Sequence, residues 1–284
     1  MFLAAAASIT KNIKLGSAVS VISSSDAVRL YEDFATLDNL SNGRAELMAG
    51  RGSFIESFPL FGYNLDDYDN LFEDKFMLLL ELNNTINGKI NWNGRYTQNL
   101  VDQEIFPKPV QQQLPIWIAV GGTTSSVRRA ARLGLPITYA IIGGLPINFK
   151  PIVDLYKTEY LAAGHDESKM QVCINSHVFV GESAAIRDTY YPYYSSQMDR
   201  IGKGRGWAPF TKEIFENTAR PEGAYFMGDP NEVIDKILMQ HEWFGNTRFV
   251  GQMDVGAPDH HLIMKSIELF GDKVAPAVRK ALKK

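Results

Sequence analysis

The chain has 284 residues, and its hydrophobic fraction of 45% and charged fraction of 21% are those of an ordinary globular protein. Its net charge of −3 argues against a nucleic-acid partner, because such binding depends on clustered Lys and Arg. No run approaches the ~18 consecutive apolar residues of a membrane span. The opening residues 1–8 lack the basic start of a signal peptide and are predicted to be helical.

Cysteine and histidine usage favours a cytoplasmic protein without a metal site. Cys173 is the single cysteine, so no intramolecular disulfide forms and a reducing compartment is expected. His260 and His261 are adjacent and would point about 100° apart on a helix, unlike the i,i+4 pairs that bind metals. The acidic residues at 66–69 are interpreted as the first turn of a helix, where they complement the dipole.

Strands and helices alternate along the chain, which favours an α/β fold with a mostly parallel sheet. No linker or composition break is present, so we expect a single domain over residues 1–284, with insertions at about 51–69, 83–114 and 183–222. Strands are predicted at 14–21, 45–50, 115–120, 136–142, 171–180 and 247–252. Helices are predicted from Asp26 to Gly43 and at 70–82, 124–133, 147–163, from Pro230 onward and within 259–283.

Two strand ends carry residues suited to an anion. Arg51 leaves strand 45–50 between Gly50 and Gly52, where its guanidinium can bind phosphate oxygens and the glycines allow close backbone approach. Ser53 follows as a further donor. The alternative is a surface arginine that pairs with Glu56 or Asp66.

The second segment follows strand 115–120 and opens a helix with Gly121, Gly122, Thr123, Thr124 and Ser125. Backbone N–H groups at a helix start carry partial positive charge and bind anions. Capping of the helix by Thr123 or Thr124 is the alternative. We expect this segment and the one at Arg51 to bind the phosphate of one ligand.

Five motifs, in this order and spacing, resemble the bacterial luciferase-like family of flavin-dependent oxidoreductases over nearly the whole chain. They are Ile13–Val19 (IKLGSAV), Leu37–Arg44 (LDNLSNGR), Gly50–Gly52 (GRG) with Phe61-Gly62 beyond it, 107–119 (PKPVQQQLPIWIA) and Gly228–Val233 (GDPNEV).

The resemblance implies a (β/α)₈ TIM-barrel type of fold that binds FMN, or in some branches a deazaflavin, at its C-terminal mouth. A barrel has eight strands, and the family's first two strands have no counterpart in the six predicted here. The chain is therefore expected to be a barrel that is short at its N-terminus, either as a fragment or as a naturally reduced member. A histidine that family members often carry on the second strand is absent with it.

The resemblance also assigns roles to individual residues. Arg51, Gly52 and Ser53, and Gly121 to Ser125, match the family's phosphate-binding segments. Ala18 and Val19 align with a non-proline cis peptide beneath the flavin ring, although an ordinary strand is the alternative. His177 shares a strand face with Asn175 and is a candidate proton donor at the mouth, or else a buried structural histidine.

The function expected from this resemblance is a cytoplasmic monooxygenase-type oxidoreductase that uses reduced FMN and O₂ on a small-molecule substrate. NAD(P)H as electron source, a flavin reductase as partner, and a homo-oligomer, commonly a dimer, belong to the same expectation. A non-catalytic flavin-binding protein of this fold is the first alternative. A phosphate-binding barrel lyase or isomerase is the second, but the Schiff-base lysine or paired carboxylates it requires are not evident in the sequence.

Overall fold

The computed structural model describes residues 1–52, 57–85 and 87–283 as an α/β fold in which strands, one hairpin aside, run parallel to their partners. The α/β class with a mostly parallel sheet is confirmed, whereas closure into a (β/α)₈ barrel and the lack of its first two strands stay predictions. Contacts between Cα atoms divide the chain into an N-terminal part, Met1–Val120, and a C-terminal part, Gly121–Lys284.

In the N-terminal part, the central strand β3 pairs in parallel with β1, β2 and β6, and β4 and β5 form an antiparallel hairpin. The strands are β1 (Leu15–Gly16), β2 (Ser20–Val21), β3 (Ala45–Gly50), β4 (Ile90–Trp92), β5 (Leu100–Gln103) and β6 (Ile116–Val120). The helices are α1 (Phe2–Ile9), α2 (Ala27–Ser41), α3 (Ser57–Leu60) and α4 (Tyr68–Asn84).

The turn from α2 to β3 forms as its sequence predicts. Asp26 caps the start of α2 by accepting a hydrogen bond from Arg29 N–H. At the other end Asn42 and Gly43 both adopt positive φ, 54° and 81°, and Gly43 N–H donates to Asp38 O at 2.9 Å. This turn delivers β3, all six residues of which are buried.

The prediction of a single strand at 14–21 is wrong in the middle of that range, because two short strands, β1 and β2, are found there instead. Between them the hydroxyl of Ser17 lies opposite Met48, donating to its carbonyl oxygen at 3.3 Å and accepting from its N–H at 3.4 Å. The hydroxyl of Ser17 thus takes the place of the backbone ladder at this point.

In the C-terminal part, β8 is the central strand and pairs in parallel with β7, β10 and β9. The strands are β7 (Ile137–Ala140), β8 (Val172–Val180), β9 (Phe226–Gly228) and β10 (Arg248–Gln252). The helices are α5 (Thr124–Arg132), α6 (Lys150–Ala162), α7 (Ile186–Lys203), α8 (Lys212–Ala219), α9 (Pro230–Phe244), α10 (His260–Leu269) and α11 (Ala275–Leu282).

The two faces of β8 contact different layers. Val178 and Val180 belong to a buried cluster with residues of α9 and α10, such as Val233 and Leu269. On the other face the ring of Phe179 stacks on Tyr190 of α7, with centroids 3.9 Å apart. The helices α7 and α8 lie within the segment 183–222, for which the sequence analysis predicts an insertion.

Within the part of the chain that the structure describes, no helix is both long and apolar enough to cross a lipid bilayer.

Candidate functional site

Arg51 follows directly after β3 and is largely shielded from solvent. Its Nη1 atom pairs with the carboxylate of Asp69, and its guanidinium carbon lies 5.1 Å from the ring centroid of Tyr68. The side chain of Arg51 is 22% exposed, whereas that of Asp69 is 76% exposed. The alternative interpretation of Arg51, as a surface arginine, named Glu56 or Asp66 as its partner. The structure shows Asp69 instead, and Glu56 lies outside the described residues.

Gly52 holds the backbone beside Arg51 in a conformation that favours glycine. Its φ is +73°, and a Cβ atom added there would lie 2.9 Å from Cγ2 of Val21. The carbonyl oxygen of Gly52 accepts a hydrogen bond from the Tyr68 hydroxyl at 3.2 Å. Tyr68 therefore contacts both Arg51 and Gly52. Ser53, the third residue predicted here, lies outside the described residues.

Ala18 and Val19 lie next to the same end of β3. The peptide bond that joins them is cis, as the family resemblance implies at this position. A Cβ atom on Gly50 would be 3.0 Å from Cγ2 of Val19, so glycine is what allows Val19 to approach β3. The N-terminal part thus brings Val19 beside the residue that precedes Arg51.

At the start of α5, in the C-terminal part, the N-cap residue makes no side-chain capping hydrogen bond. Thr123 occupies the N-cap position without capping a backbone N–H, and its hydroxyl bonds that of Ser126 at 2.9 Å. Capping by Thr123 is therefore not observed. Gly122 has a φ of +114°, and a Cβ atom on Gly121 would meet nothing within 4 Å. The first N–H groups of α5 begin at Thr124, and the space around Gly121 is open, whereas a Cβ atom on Gly122 would contact Phe149 at 3.6 Å.

His177 is buried on β8, with 6% of its surface exposed. Its Nδ1 atom lies 2.7 Å from the hydroxyl oxygen of Tyr194 on α7. The ring also stacks on Tyr225, with centroids 6.0 Å apart. Burial lowers the pKa of His177 to about 4, although the nearby carboxylate of Asp254 acts in the opposite direction. The imidazole is therefore neutral at pH 7, which restricts any proton-donor role to the neutral ring.

The tyrosines around His177 are functional candidates that the sequence analysis missed. Tyr190 and Tyr194 are one helical turn apart on α7, and both are fully buried. The run Tyr190-Tyr191-Pro192-Tyr193-Tyr194 carries the signal, because i,i+4 spacing puts Tyr190 and Tyr194 on one helix face. Burial raises the pKa of both phenols well above the usual value, so both keep their protons.

Among the described residues, no group of three or more His, Cys, Asp or Glu side chains could hold a metal ion. The donors at Arg51 and at the start of α5 suit an anion instead.

A model of the luciferase-like monooxygenase family matches residues 1–247. The chain therefore belongs to that family, as the motifs indicate. Among its relatives, the alkanal monooxygenase alpha chain of Aliivibrio fischeri is 24% identical over 98% of this chain and 84% of the relative.

Solved structures share the fold at low sequence identity. Monooxygenase RslO1 from Streptomyces bottropensis has a TM-score of 0.82 and 22% identity over 97% of this chain and 82% of that one. The oxygenating constituent of 3,6-diketocamphane monooxygenase from Pseudomonas putida, in complex with FMN, has a TM-score of 0.74 and 19% identity over 97% and 82%. The coenzyme F420-dependent tetrahydromethanopterin reductase of Methanopyrus kandleri has the same TM-score and identity over 97% and 86%.

Proposed function

We propose that this chain is a flavin-dependent oxidoreductase of the monooxygenase type, which uses reduced FMN and O₂ on a small organic substrate. The observation that carries the proposal is the shielded guanidinium of Arg51 at the end of β3, in a chain of the luciferase-like family. The guanidinium of Arg51 lies against the ring of Tyr68, and its partner carboxylate is exposed, so that a ligand can displace it. A cation in this setting is suited to a phosphate.

The residues present fit the phosphate of a flavin. Arg51 offers a planar set of N–H donors, and Gly52 lets a ligand approach the backbone. Gly121 has open surroundings just before α5, and the N-cap residue Thr123 makes no side-chain capping hydrogen bond to the first N–H groups of that helix. We propose each segment as a phosphate-binding element, and each is tested by its own variant.

The cofactor is proposed to be FMN, with a deazaflavin as the alternative. A structural relative was solved with FMN, and others depend on F420, so both choices have support in the family's fold. When bound, the flavin would supply the redox chemistry. The protein's own residues would bind the phosphate and shield the reacting atoms from water.

The electrons for the flavin are proposed to come from NAD(P)H through a separate flavin reductase. Arg51 follows directly after β3, at the carboxyl end, where ligands bind in parallel α/β sheets. The substrate is proposed to be an uncharged or weakly charged organic compound, because aromatic side chains surround His177.

The proposal is tested by titrating the purified protein with FMN and with riboflavin, following flavin fluorescence. Arg51→Ala is expected to weaken FMN binding at least tenfold and to leave riboflavin binding nearly unchanged, because FMN alone carries the phosphate. Arg95→Ala is the matched control, since Arg95 also lies over a tyrosine ring, with 5.2 Å between its guanidinium carbon and the centroid of Tyr96.

Equal losses of FMN and riboflavin affinity in Arg51→Ala would remove Arg51 from the phosphate site. For the start of α5, Gly121→Asp places a carboxylate where the phosphate is proposed, and the same loss restricted to FMN is expected. A protein that binds FMN but forms no oxygenated product from aldehydes, ketones or alkanes in the presence of reduced FMN and O₂ would favour the non-catalytic alternative.

A further inference from the structure

A cleft of about 480 Å³ lies between α9, the start of β10 and α11, all within the C-terminal part. Its volume falls in the range of small-molecule sites, about 300–1,000 Å³. The side chains that line it come from residues 237–249 and 270–283. Arg51 and the start of α5 contribute nothing to its lining, so the proposed flavin site does not use this cleft.

One wall of the cleft is apolar. The rings of Phe249 on β10 and Phe270, between α10 and α11, are stacked with their centroids 6.4 Å apart. Ile237 of α9 and Val278 of α11 also line the cleft. Phe249, Phe270 and Val278 are only partly buried, although they pack against the buried cluster that contains Val178. Accessible apolar surface within a concave site favours a ligand with an apolar body.

The rim of the cleft is cationic. Arg279 and Lys283 are exposed and four residues apart, and neither side chain forms an ion pair or hydrogen bond with another described residue. Arg248 adds a third cation at the start of β10. Among the described residues that line the cleft, none is acidic. A cleft whose charges have one sign attracts ligands of the opposite sign.

The helix dipole explains only part of this charge. Basic residues in the last turn of a helix complement its dipole, and both Arg279 and Lys280 occupy the last turn of α11. Lys280 does not line the cleft, whereas Arg279 does. The dipole therefore accounts for positive charge in this turn but not for the position of Arg279 beside an apolar wall.

The segment that joins α9 to β10 is held by hydrogen bonds. His241 Nδ1 donates to Asn246 O at 2.8 Å, since a carbonyl oxygen can only accept. Asn246 Nδ2 donates to Arg248 O at 3.1 Å, and Thr247 N–H donates to Val172 O at 2.8 Å. The backbone that carries Arg248 is therefore fixed before a ligand binds, which lowers the entropic cost of binding.

We propose that this cleft binds an amphipathic anion, a small compound with one carboxylate or similar anionic group on an aliphatic or aromatic body. The anionic group binds Arg279 and Lys283 at the rim, and the apolar body lies against Phe249 and Phe270. This site goes beyond the proposed function and does not depend on flavin binding.

The test compares octanoate, octan-1-ol and octylammonium, which share an apolar chain and differ in charge. Each is titrated into ¹⁵N-labelled full-length protein, and binding is followed in ¹H–¹⁵N NMR spectra. With octanoate we expect saturable shifts of the backbone signals of Arg248, Phe249 and Val278. Weaker binding of octan-1-ol and no binding of octylammonium are expected. The titrations are made with and without FMN, and equal results are expected, so failure here is distinguishable from failure of the flavin site.

Arg279→Gln is expected to weaken octanoate binding about fivefold, the effect of one partly screened ion pair, and to leave octan-1-ol binding unchanged. Lys280→Gln is the matched control, because it removes one positive charge from the same turn of α11 without altering the lining of the cleft. Ala275→Phe fills the cleft and is expected to abolish binding of both octanoate and octan-1-ol.

Three results would each overturn the proposal. They are the lack of a saturable shift at the cleft with octanoate, octylammonium binding as tight as that of octanoate, and equal loss of octanoate affinity in Arg279→Gln and Lys280→Gln. If Ala275→Phe does not fold, the two glutamine variants still decide, because both replace exposed side chains.

Discussion

At the residue scale, Asp38 joins two separate stretches of the N-terminal part. Its carboxylate is fully buried and accepts hydrogen bonds from Ala45 N–H at 3.2 Å, from Gln111 N–H at 2.9 Å and from Gln111 Nε2 at 2.7 Å. The same Gln111 amide donates to Ala45 O. The family motifs around Asp38 and Gln111 are therefore linked by structural contacts and not by a catalytic site.

Replacing Asp38 with Ala is expected to destabilise the fold by about 3 kcal/mol, because buried N–H donors lose their acceptor. Urea unfolding followed by circular dichroism measures this loss. Asp33→Ala is the control, since Asp33 lies on the exposed side of the same helix and should change stability by less than about 0.5 kcal/mol. A loss below about 1 kcal/mol for Asp38→Ala would show that these hydrogen bonds contribute little.

The lowered pKa of His177 predicts how the stability of the protein depends on pH. Burial lowers its pKa to about 4 in the folded protein, whereas an unfolded histidine has its ordinary value of 6.5. Between these values the unfolded chain binds more protons, so the free energy of unfolding falls as pH is lowered from about 6.5 to about 4. The groups that face the ring are Tyr194, Tyr225 and the more distant carboxylate of Asp254.

The contribution of His177 to this loss is expected to be about 3 kcal/mol by pH 4, since each pKa unit corresponds to about 1.4 kcal/mol. Unfolding free energies at pH 7, 6, 5 and 4 are compared for the unaltered protein, His177→Gln and the exposed control His260→Gln. Comparison with His177→Gln separates this effect from that of the carboxylates. Equal slopes for all three proteins between pH 6.5 and pH 5 would contradict the account.

At the element scale, α9 has a well-defined start. The Asp229 side chain accepts from the N–H groups of Asn231 and Glu232, and the Glu232 carboxylate accepts from Asp229 N–H, which forms a capping box. Arg187 of α7 donates to the same Glu232 carboxylate at 3.1 Å. The cap of α9 therefore also anchors α7.

Asp229→Ala is expected to lower the free energy of unfolding by about 1 kcal/mol, the usual cost of losing an N-cap side chain. Chemical denaturation detects this change, and Asp235→Ala, an exposed position later in α9, serves as the control. Equal stability of the two variants would mean that Asp229 does not stabilise the helix start.

The elements that the sequence predicts correctly are those with strong local signals. Caps at Asp26 and Asp229 and the Asn42-Gly43 turn set helix ends through contacts within a few residues, so pattern alone finds them. Strand β9 is not predicted from the sequence, because its three residues are too few to show a period. It depends instead on pairing with Val178–Val180. The break in strand 14–21 depends on Ser17 meeting Met48, a contact between residues far apart in sequence.

The candidate site likewise has residues that the sequence predicts and contacts that it does not. The pairs Arg51-Gly52 and Gly121-Gly122 can be recognised in the sequence because each pair directly follows a strand. The partner of Arg51 is not predictable, since Asp69 is brought to it by the first turn of α4. The tyrosines that contact His177 come from α7 and from the segment before β9, so their contact exists only after the C-terminal part has folded.

At the scale of the whole molecule, self-association remains a prediction. Helix α1 carries exposed apolar side chains, with Phe2 and Ile9 more than four-fifths accessible. Apolar surface of this kind is commonly covered by a partner. Light scattering is expected to give twice the chain mass of 31.8 kDa, and Phe2→Ser with Ile9→Ser is expected to shift the protein toward the monomer. If the unaltered protein is monomeric at concentrations of tens of micromolar, this prediction is contradicted.

The proposed function requires that the whole chain is a flavoprotein that recognises its cofactor by the phosphate. The most direct measurement is an equilibrium titration of the unaltered protein with FMN, F420 and riboflavin under identical conditions. We expect saturable binding of FMN with one site per chain, and binding of riboflavin at least tenfold weaker. Equal affinity for FMN and riboflavin, or no binding of either FMN or F420, would contradict the proposed function.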